Sequence, residues 1–277
     1  MMESVYARMP ICLHGTIPVF SVSQEYTENY EKISQDHLAS LHKDGTNPFI
    51  PEDLWVECEN STIRLIQKYS KPGDRILDIG VGLGRILSHF SQLERYGMDI
   101  SFGYLEIAQS KGIDVCYALI EDMPYLSEYF DLIVCTDVLE HVLDLNMCCA
   151  KILSVLRNGG VLIARVPYKE DLSAYSDPTY PYKYAHVRRF DEESLEGLFK
   201  QIFGCNLIER VKTGYAPRPN RLRYPFRFPK RDTLLIRCFA AMKQYDVPLQ
   251  RLFLKRLFLP LDINVVVKGR TQSAQNG

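Results

Sequence analysis

A glycine-rich stretch and a downstream aspartate are the residues of this sequence whose types and spacing suggest chemistry. Residues 78–84 read Asp-Ile-Gly-Val-Gly-Leu-Gly, and the short apolar run Arg75–Ile79 leads into them. Glycines at such a turn let the backbone approach a bound ligand closely. Asp99 ends a second apolar run, 19 residues after Gly80. A carboxylate at that spacing accepts hydrogen bonds from ribose hydroxyls in nucleoside-binding α/β sites.

Asp78 narrows the choice of nucleoside ligand. A carboxylate two residues before the first glycine would repel a pyrophosphate, and Arg85 stands where a dinucleotide-binding motif requires its third glycine. A ligand that combines adenosine with positive charge suits the loop better. S-adenosylmethionine has this combination, because it carries an α-ammonium group and a sulfonium. The pattern therefore predicts an S-adenosylmethionine site, and a tight turn without a ligand is the alternative.

The surrounding sequence predicts the elements that would position this loop. Short apolar runs predict strands at 75–79, 96–100, 115–119, 129–135, 161–166, 205–211 and 262–268. Helices are predicted at 25–41, from Pro51 onward, and at 85–93, 104–111, 143–156 and 191–203. Alternation of this kind implies βαβ crossovers. We therefore expect an α/β, Rossmann-like domain with a seven-stranded, mostly parallel sheet and helices on both faces.

Length and composition agree with one large domain that carries appendages. Of the 277 residues, 46% are hydrophobic and 24% are charged, which excludes a largely disordered chain. No apolar run approaches the ~20 residues of a spanning helix. We divide the chain into a helical N-terminal lid (1–70), a cofactor-binding core (71–211) and a basic insertion with the final strand (212–277). With no recognisable secretory signal and no CxxC pair, we expect a cytoplasmic protein.

Beyond the glycine loop, further segments resemble those of the class I S-adenosylmethionine-dependent methyltransferases, and in particular the small-molecule type that includes the ubiquinone and sugar O-methyltransferases. These segments are Tyr96–Ser101, Glu121–Pro124, Phe130–Cys135, Val138–Asp144 and Leu156–Leu162. In the last of them, Asn158 replaces the usual proline. The resemblance extends over residues 75–205 and implies methyl transfer as the activity, with S-adenosyl-L-methionine as the cofactor.

The resemblance also implies roles for single residues. Asp78 would orient the methionine part of the cofactor, and Asp99 would bind its ribose. Asp122 and Met123 would contact the adenine, while Asp137 would lie near the methionine end and the acceptor. The cofactor-binding residues implied in this way are Asp78, Gly80, Gly82, Gly84, Asp99, Ile100, Asp122, Met123 and Asp137.

Two histidines are candidates for a catalytic base. Methyl transfer mainly requires alignment of nucleophile, methyl and sulfur, and a hydroxyl acceptor also benefits from a base. His141 lies just beyond the fourth predicted strand, and His186 follows the fifth in a His-x-Arg-x-Phe stretch similar to those near the active site of this family. A structural role in holding a loop is the alternative for each. No metal-ligand cluster is visible in the sequence, so we expect no metal site.

The C-terminal third is strongly basic. Residues 210–256 carry 13 Lys or Arg and two acids, although the whole chain has a net charge of −1. Three interpretations stay open: a substrate cap packed on the core, contact of residues 218–259 with an anionic membrane surface, and binding of nucleic acid or another anionic partner. The second interpretation would place a cytoplasmic protein at the periphery of a membrane.

The expected reaction is O-methylation of a small-molecule, sugar or lipid-linked acceptor. Enzymes that methylate nucleic-acid amino groups often carry an Asn/Asp-Pro-Pro-Tyr/Phe motif after the fourth strand, where this chain has Thr136–Leu139. The Pro-Cys pair of cytosine C5 methylation is also absent. A nucleic-acid or protein methyltransferase is one alternative. A non-catalytic module that only binds S-adenosylmethionine is another.

Overall fold

A single sheet organises the computed structural model, which describes residues 5–217 and 258–269. Its strands in chain order are β1 (Cys12–His14), β2 (Ile17–Val19), β3 (Arg75–Ile79), β4 (Glu94–Asp99), β5 (Asp114–Tyr117), β6 (Phe130–Thr136), β7 (Leu156–Pro167), β8 (Asn206–Pro217) and β9 (Phe258–Lys268). They are ordered β1-β2-β5-β4-β3-β6-β7-β9-β8 across the sheet. Strands β3 to β9 correspond to the seven predicted strands, so the expected Rossmann-like α/β fold is confirmed.

The strand order reverses between β3 and β6. β3 pairs in parallel with β4 on one side and with β6 on the other. The parallel pairing continues outward to β5 and to β7. β9 runs antiparallel to both of its neighbours, β7 and β8. Open α/β sheets bind ligands at the carboxyl edge of such a reversal, so the residues that follow Ile79 and Thr136 mark the site.

An N-terminal hairpin extends the sheet beyond the predicted strands. β1 and β2 pair antiparallel, and Val19 of β2 pairs in parallel with Tyr117 of β5. Ile17 is buried, with 1% of its surface exposed. The lid predicted for residues 1–70 thus includes a strand pair that the sequence analysis did not predict.

The described residues contain five α-helices. They are α1 (Glu25–Asp44), α2 (Glu52–Tyr69), α3 (Phe102–Ser110), α4 (Leu145–Val155) and α5 (Glu192–Glu196), which continues as a π-helical segment, Gly197–Ile202. Side-chain caps begin three of them, because the side chains of Ser101, Asp144 and Asp191 accept hydrogen bonds from the N–H groups of Tyr104, Met147 and Ser194, respectively. None of these helices combines the length and the apolar character that crossing a bilayer requires.

The predicted helix over residues 85–93 is wrong. The structure has a single 3-10 turn there, Leu87–His89. Ile86, Leu87, Phe90 and Leu93 of this segment are buried, a spacing that an α-helix would also give. The backbone differs, because the N–H groups of His89, Phe90 and Leu93 donate to carbonyl oxygens three residues earlier, as in a 3-10 helix. The glycine loop is therefore followed by turns.

The predictions for the basic region fall mostly outside the described residues. β8 ends at Pro217 and β9 begins at Phe258, so the chain between these neighbouring strands contains residues 218–257. The membrane contact and the nucleic-acid contact predicted for this region therefore stay predictions.

Gly214 lets α2 pack closely against β8. Its φ is +66°, and a Cβ atom at this position would lie 2.6 Å from Cys58 Sγ and 3.2 Å from Leu261 Cβ. The neighbouring Thr213 hydroxyl donates a hydrogen bond to the Glu57 carbonyl at 3.3 Å. Any side chain at residue 214 would therefore push α2 away from the sheet.

We expect Gly214→Ala to destabilise the protein more than Gly73→Ala does. Both glycines have a positive φ, but Gly73 has nothing within 4 Å of the position of a Cβ. Each substitution should lose about 1–2 kcal/mol for the left-handed backbone, and Gly214→Ala should lose about 1–3 kcal/mol more for overpacking. Denaturant unfolding followed by circular dichroism measures the difference, and equal losses would contradict the packing argument.

Candidate active site

The glycine loop leaves β3 at the carboxyl edge of the sheet. Gly80, Gly82 and Gly84 have φ values of +73°, +50° and +66°, a region that other residues enter only with strain. The N–H groups of Gly80 and Val81 donate to the Met98 carbonyl at 2.9 and 3.1 Å. The loop is therefore fastened to β4 at the edge where a ligand would bind.

Asp99, at the end of β4, holds the middle of the loop. Its Oδ2 accepts a hydrogen bond from the Gly82 N–H at 2.9 Å. Its Oδ1 accepts hydrogen bonds from the N–H groups of Ile100 and Ser101 at 2.8 and 3.1 Å. Burial raises the pKa of Asp99 to about 6, and these backbone hydrogen bonds limit the rise. Asp99, the residue predicted to bind the ribose, thus also fixes the shape of the loop.

Asp78 is a buried carboxyl group in β3, with 2% of its surface exposed. Its Oδ1 has no hydrogen-bond partner among the described residues. Burial, and next the nearby Asp99, raise the pKa of Asp78 well above its usual value, while Arg165 opposes the rise. A buried carboxylate is costly unless a donor or a positive charge reaches it. The α-ammonium group of S-adenosylmethionine is such a partner, so the residues present fit this cofactor.

Asp122 and Met123 lie in the loop that follows β5. Asp122 ends the 3-10 turn Ile120–Asp122, and its Oδ2 accepts a hydrogen bond from the Ser21 hydroxyl at 2.7 Å. Met123 packs against the core and is partly buried. The Arg8 guanidinium donates to the Asp122 carbonyl at 2.6 Å. The N-terminal segment thus lies against this loop, a contact that the sequence analysis missed.

Asp137 follows β6 with a left-handed backbone conformation that is uncommon for residues other than glycine. Its φ is +56°, which costs on the order of 1–3 kcal/mol and persists only where surrounding contacts hold it. Its N–H donates to the Arg165 carbonyl at 2.9 Å. Its carboxylate also accepts two hydrogen bonds from the Arg165 guanidinium, one of them from Nε at 3.3 Å. Arg165 therefore fixes both the backbone and the side chain of Asp137.

Arg165, in β7, is a site neighbour that the sequence analysis missed. Only 2% of its side chain is exposed, and its Nε lies 3.4 Å from Asp262 Oδ2. Its Nη1 also donates to the Thr62 hydroxyl at 3.1 Å. Burial disfavours the charged guanidinium, but Asp137 and Asp262 outweigh burial and raise its pKa. The sequence indicated this residue only by placing one arginine within the apolar run 161–166.

The structure brings the two predicted histidines together. The ring centroids of His141 and His186 are 4.5 Å apart, and the rings meet edge to face. Burial, and next His186, lower the pKa of His141 to about 3. The Nδ1 atom of His186 contacts Glu170 Oε2, and the Tyr175 hydroxyl donates to the other oxygen of Glu170 at 2.7 Å. His186 is therefore oriented by a carboxylate that is itself held in place.

Glu140 lies beside the two histidines and is buried, with 1% of its surface exposed. Neither of its carboxylate oxygens receives a hydrogen bond from another described residue. Its Oε1 lies 3.9 Å from Nε2 of His141. Burial, and next Asp137, raise the pKa of Glu140 well above its usual value. The sequence analysis did not group these side chains, because His186 is 45 residues from His141 in the chain.

Two contacts join the glycine loop and its aspartates, Asp78 and Asp99, to the part of the site that contains His141 and His186. A Cβ on Gly80 would lie 2.4 Å from Val138 Cγ2, so the glycine loop lies directly against the turn that leads to His141. Helix α1 covers both sides. Its Ser34 hydroxyl accepts a hydrogen bond from the Ser101 hydroxyl at 2.6 Å, and its Tyr30 ring lies 5.4 Å from the His141 ring.

Comparisons with known proteins agree with this arrangement. A family model described as a methyltransferase domain matches residues 77–164. An uncharacterized protein of Methanocaldococcus jannaschii is 37% identical over 187 residues, which cover 59% of this chain and 89% of that protein. The human “Probable tRNA methyltransferase 9B” is 35% identical over 67% of this chain and 41% of its own length. A ubiquinone biosynthesis O-methyltransferase of Nitrobacter winogradskyi is 27% identical over 53% of this chain and 61% of its own length.

A solved structure supports the fold. Magnesium protoporphyrin IX methyltransferase from Synechocystis superposes with a TM-score of 0.56 at 15% identity, covering 88% of this chain and 97% of that one. This chain spans most of the archaeal relative but less than two thirds of the human and Nitrobacter proteins. From the strand order, the glycine loop with its two aspartates, and these matches, we conclude that the chain belongs to the class I S-adenosylmethionine-dependent methyltransferases.

Proposed function

We propose that the protein transfers a methyl group from S-adenosylmethionine to a hydroxyl oxygen of a small-molecule, sugar or lipid-linked acceptor. The observation that carries this proposal is the pairing of His186 with Glu170 at the site where His186 meets His141. A carboxylate that orients an imidazole is a common arrangement for proton removal. A hydroxyl is the acceptor that needs such help, because it must lose its proton. S-adenosylmethionine, when bound, supplies an electrophilic methyl group on a sulfonium.

The cofactor would be held by the residues that the family resemblance implies. Asp78 would pair with the α-ammonium group, because its Oδ1 is buried without a partner among the described residues. Asp99 would accept hydrogen bonds from the ribose, with the Ile100 side chain next to it. The remaining contacts would come from Gly80, Gly82 and Gly84 along the methionine part, from Asp122 and Met123 at the adenine, and from Asp137 near the methyl group.

His186 is the stronger candidate for the base. Burial holds the pKa of His141 near 3, so that side chain is neutral at physiological pH and binds a proton weakly. His186 instead has its ring oriented by Glu170, which contacts Nδ1. His141 would then pack against the His186 ring and hold it in place.

Aromatic side chains around the histidines suit an acceptor with a flat ring. Tyr175 lies 4.7 Å from the His186 ring, and Tyr180 lies 5.1 Å from Tyr175. On α1, Tyr26 packs against Tyr184 at 5.4 Å. Aromatic faces stack on aromatic rings and on the apolar faces of sugars. We propose α1 as the lid over this acceptor site, and the Nitrobacter relative, named for ubiquinone biosynthesis, is consistent with a ring-shaped acceptor.

The cofactor site predicts that Asp78→Asn weakens S-adenosylmethionine binding at least 10-fold, which corresponds to about 1.4 kcal/mol or more for a charge-assisted contact. Calorimetric titration of the cofactor into purified protein measures the affinity. Asp53→Asn is the matched control, because Asp53 is an exposed residue in the first turn of α2. If the folded wild-type protein binds no cofactor, or if both variants bind like wild type, the assignment of Asp78 fails.

The acceptor class can be tested by following label from methyl-tritiated S-adenosylmethionine into separated fractions of a cell extract. We expect label in the small-molecule or lipid fraction. Because one relative is named as a tRNA methyltransferase, the RNA and protein fractions are counted in parallel. Label in the RNA fraction that ribonuclease removes would overturn the proposed acceptor class and leave methyl transfer intact.

The base assignment predicts a defect in turnover and none in cofactor affinity. With an acceptor in hand, His186→Gln should lower kcat about 10²-fold or more, and Glu170→Gln should lower it less, because only the orientation of the ring is lost. The affinity for S-adenosylmethionine should stay within twofold of wild type. His89→Gln removes an exposed imidazole outside the site and is the control. An unchanged kcat in His186→Gln would exclude His186 as the base.

A further inference from the structure

We infer that Glu140, His141 and His186 form a binding site for one divalent metal ion, of which Zn²⁺ is the best match and Mn²⁺ a spectroscopic probe. Each of these residues offers one ligand atom, and the three atoms all lie within 4.8 Å of one another. Ligands that surround one ion at about 2.0–2.2 Å lie within such a distance of each other. Two imidazoles and one carboxylate are also a recurrent set at catalytic metal sites.

The burial of Glu140 is a second, independent observation that points to a cation. Its carboxylate is 1% exposed, and neither oxygen receives a hydrogen bond from another described residue. Its contact with His141 is 3.9 Å long, beyond hydrogen-bond distance. A buried carboxyl group without partners is costly. A divalent cation between this carboxylate and the two imidazoles would supply the missing partner.

Glu170 has the position of an outer-shell residue of a metal site. It contacts Nδ1 of His186, which leaves Nε2 as the ring nitrogen that can bind a metal. Histidines that bind metals commonly donate their other N–H to a carboxylate, which fixes the ring and strengthens the ligand. Tyr175 in turn holds Glu170 with a hydrogen bond of 2.7 Å. The same chain of contacts that would orient a base would orient a metal ligand.

The chemistry of the ligands favours a transition metal over Mg²⁺ or Ca²⁺. Imidazole suits Zn²⁺ and its transition-metal neighbours, whereas Mg²⁺ and Ca²⁺ prefer sites made of oxygen ligands. None of the three residues of the set is a cysteine. Mn²⁺ therefore serves as a probe that also avoids binding to thiols.

The inferred ion deepens the proposed O-methylation and rests on it. Three protein ligands leave coordination positions open, and an acceptor hydroxyl oxygen could occupy one of them and lose its proton more easily. The proton would then go to water, because Nε2 of His186 is occupied. The oxygen lone pair would form the new bond to the methyl carbon, and the electron pair of the carbon–sulfur bond would go to sulfur.

The test is a titration of the full chain, first treated with chelator, with Mn²⁺ followed by electron paramagnetic resonance. We expect one Mn²⁺ per chain for wild type, competed by Zn²⁺, together with a rise in the melting temperature. Glu140→Gln and His186→Gln should weaken binding at least 10-fold and lose the thermal shift. Glu170→Gln should weaken binding by about 10-fold, as loss of an outer-shell partner does. His89→Gln should bind like wild type.

Circular dichroism and S-adenosylmethionine affinity show whether each variant is folded. Wild type that binds no Mn²⁺ up to millimolar concentration, or Glu140→Gln that binds it as tightly as wild type, would overturn the inference. Methyl transfer that chelator abolishes and Mn²⁺ restores would support the catalytic role. Full activity in chelator would remove that role and leave the O-methylation with His186 as the base. Failure of the proposed function looks different, because wild type would then bind no S-adenosylmethionine, or the label would appear in the RNA or protein fraction, whatever the Mn²⁺ titration gives.

Discussion

The arrangement of the site depends on a guanidinium group buried under the carboxyl edge of the sheet. Arg165 is almost without contact with water, yet it meets the carboxylates of Asp137 and Asp262 and the Thr62 hydroxyl. A buried charge is tolerable only when such partners surround it, and removing one partner is costly. The pair with Asp137 holds a left-handed backbone at the end of β6. The turn from Val138 to His141 starts from that residue, so Arg165 positions the histidine side of the site.

The charge of Arg165 is balanced by carboxylates, but two other buried groups of the site, both acidic, lack such partners. Asp78 and Glu140 are both buried, and each has carboxylate oxygens without a hydrogen-bond partner among the described residues. Groups of this kind reduce the stability of the free protein and are retained where a ligand uses them. Asp78 leads into the glycine loop, and Glu140 lies beside the histidines. Two cationic ligands, a cofactor and a metal, would fit the two positions.

The sequence predicted what local pattern determines and missed what distant contacts determine. Strands β3 to β9 are apolar runs, and Asp78 and Asp99 stand at fixed spacings from the glycines, so both could be recognised. β1 was missed because all three of its residues are exposed and show no alternation. The helix at 85–93 was predicted wrongly, because its apolar residues have the spacing of an α-helix, whereas the backbone N–H groups of His89, Phe90 and Leu93 bond three residues back. Arg165 meets Asp137, and Glu140 lies near His186, although the members of each pair are far apart in the chain. Local spacing in the sequence does not indicate such contacts.

The two outer strands differ in how they would meet another polypeptide. β1 offers three residues of free backbone, too short a ladder to recruit a further strand. β8 is longer, and charged side chains line it in ion pairs: Glu209 with Lys68, Arg210 with Glu196, and Lys212 with Glu192. Charged side chains along an outer strand disfavour the docking of a further strand. The two outer strands of the described sheet, β1 and β8, thus disfavour edge-to-edge aggregation. This would help a protein with so apolar a sheet to stay dispersed at high concentration.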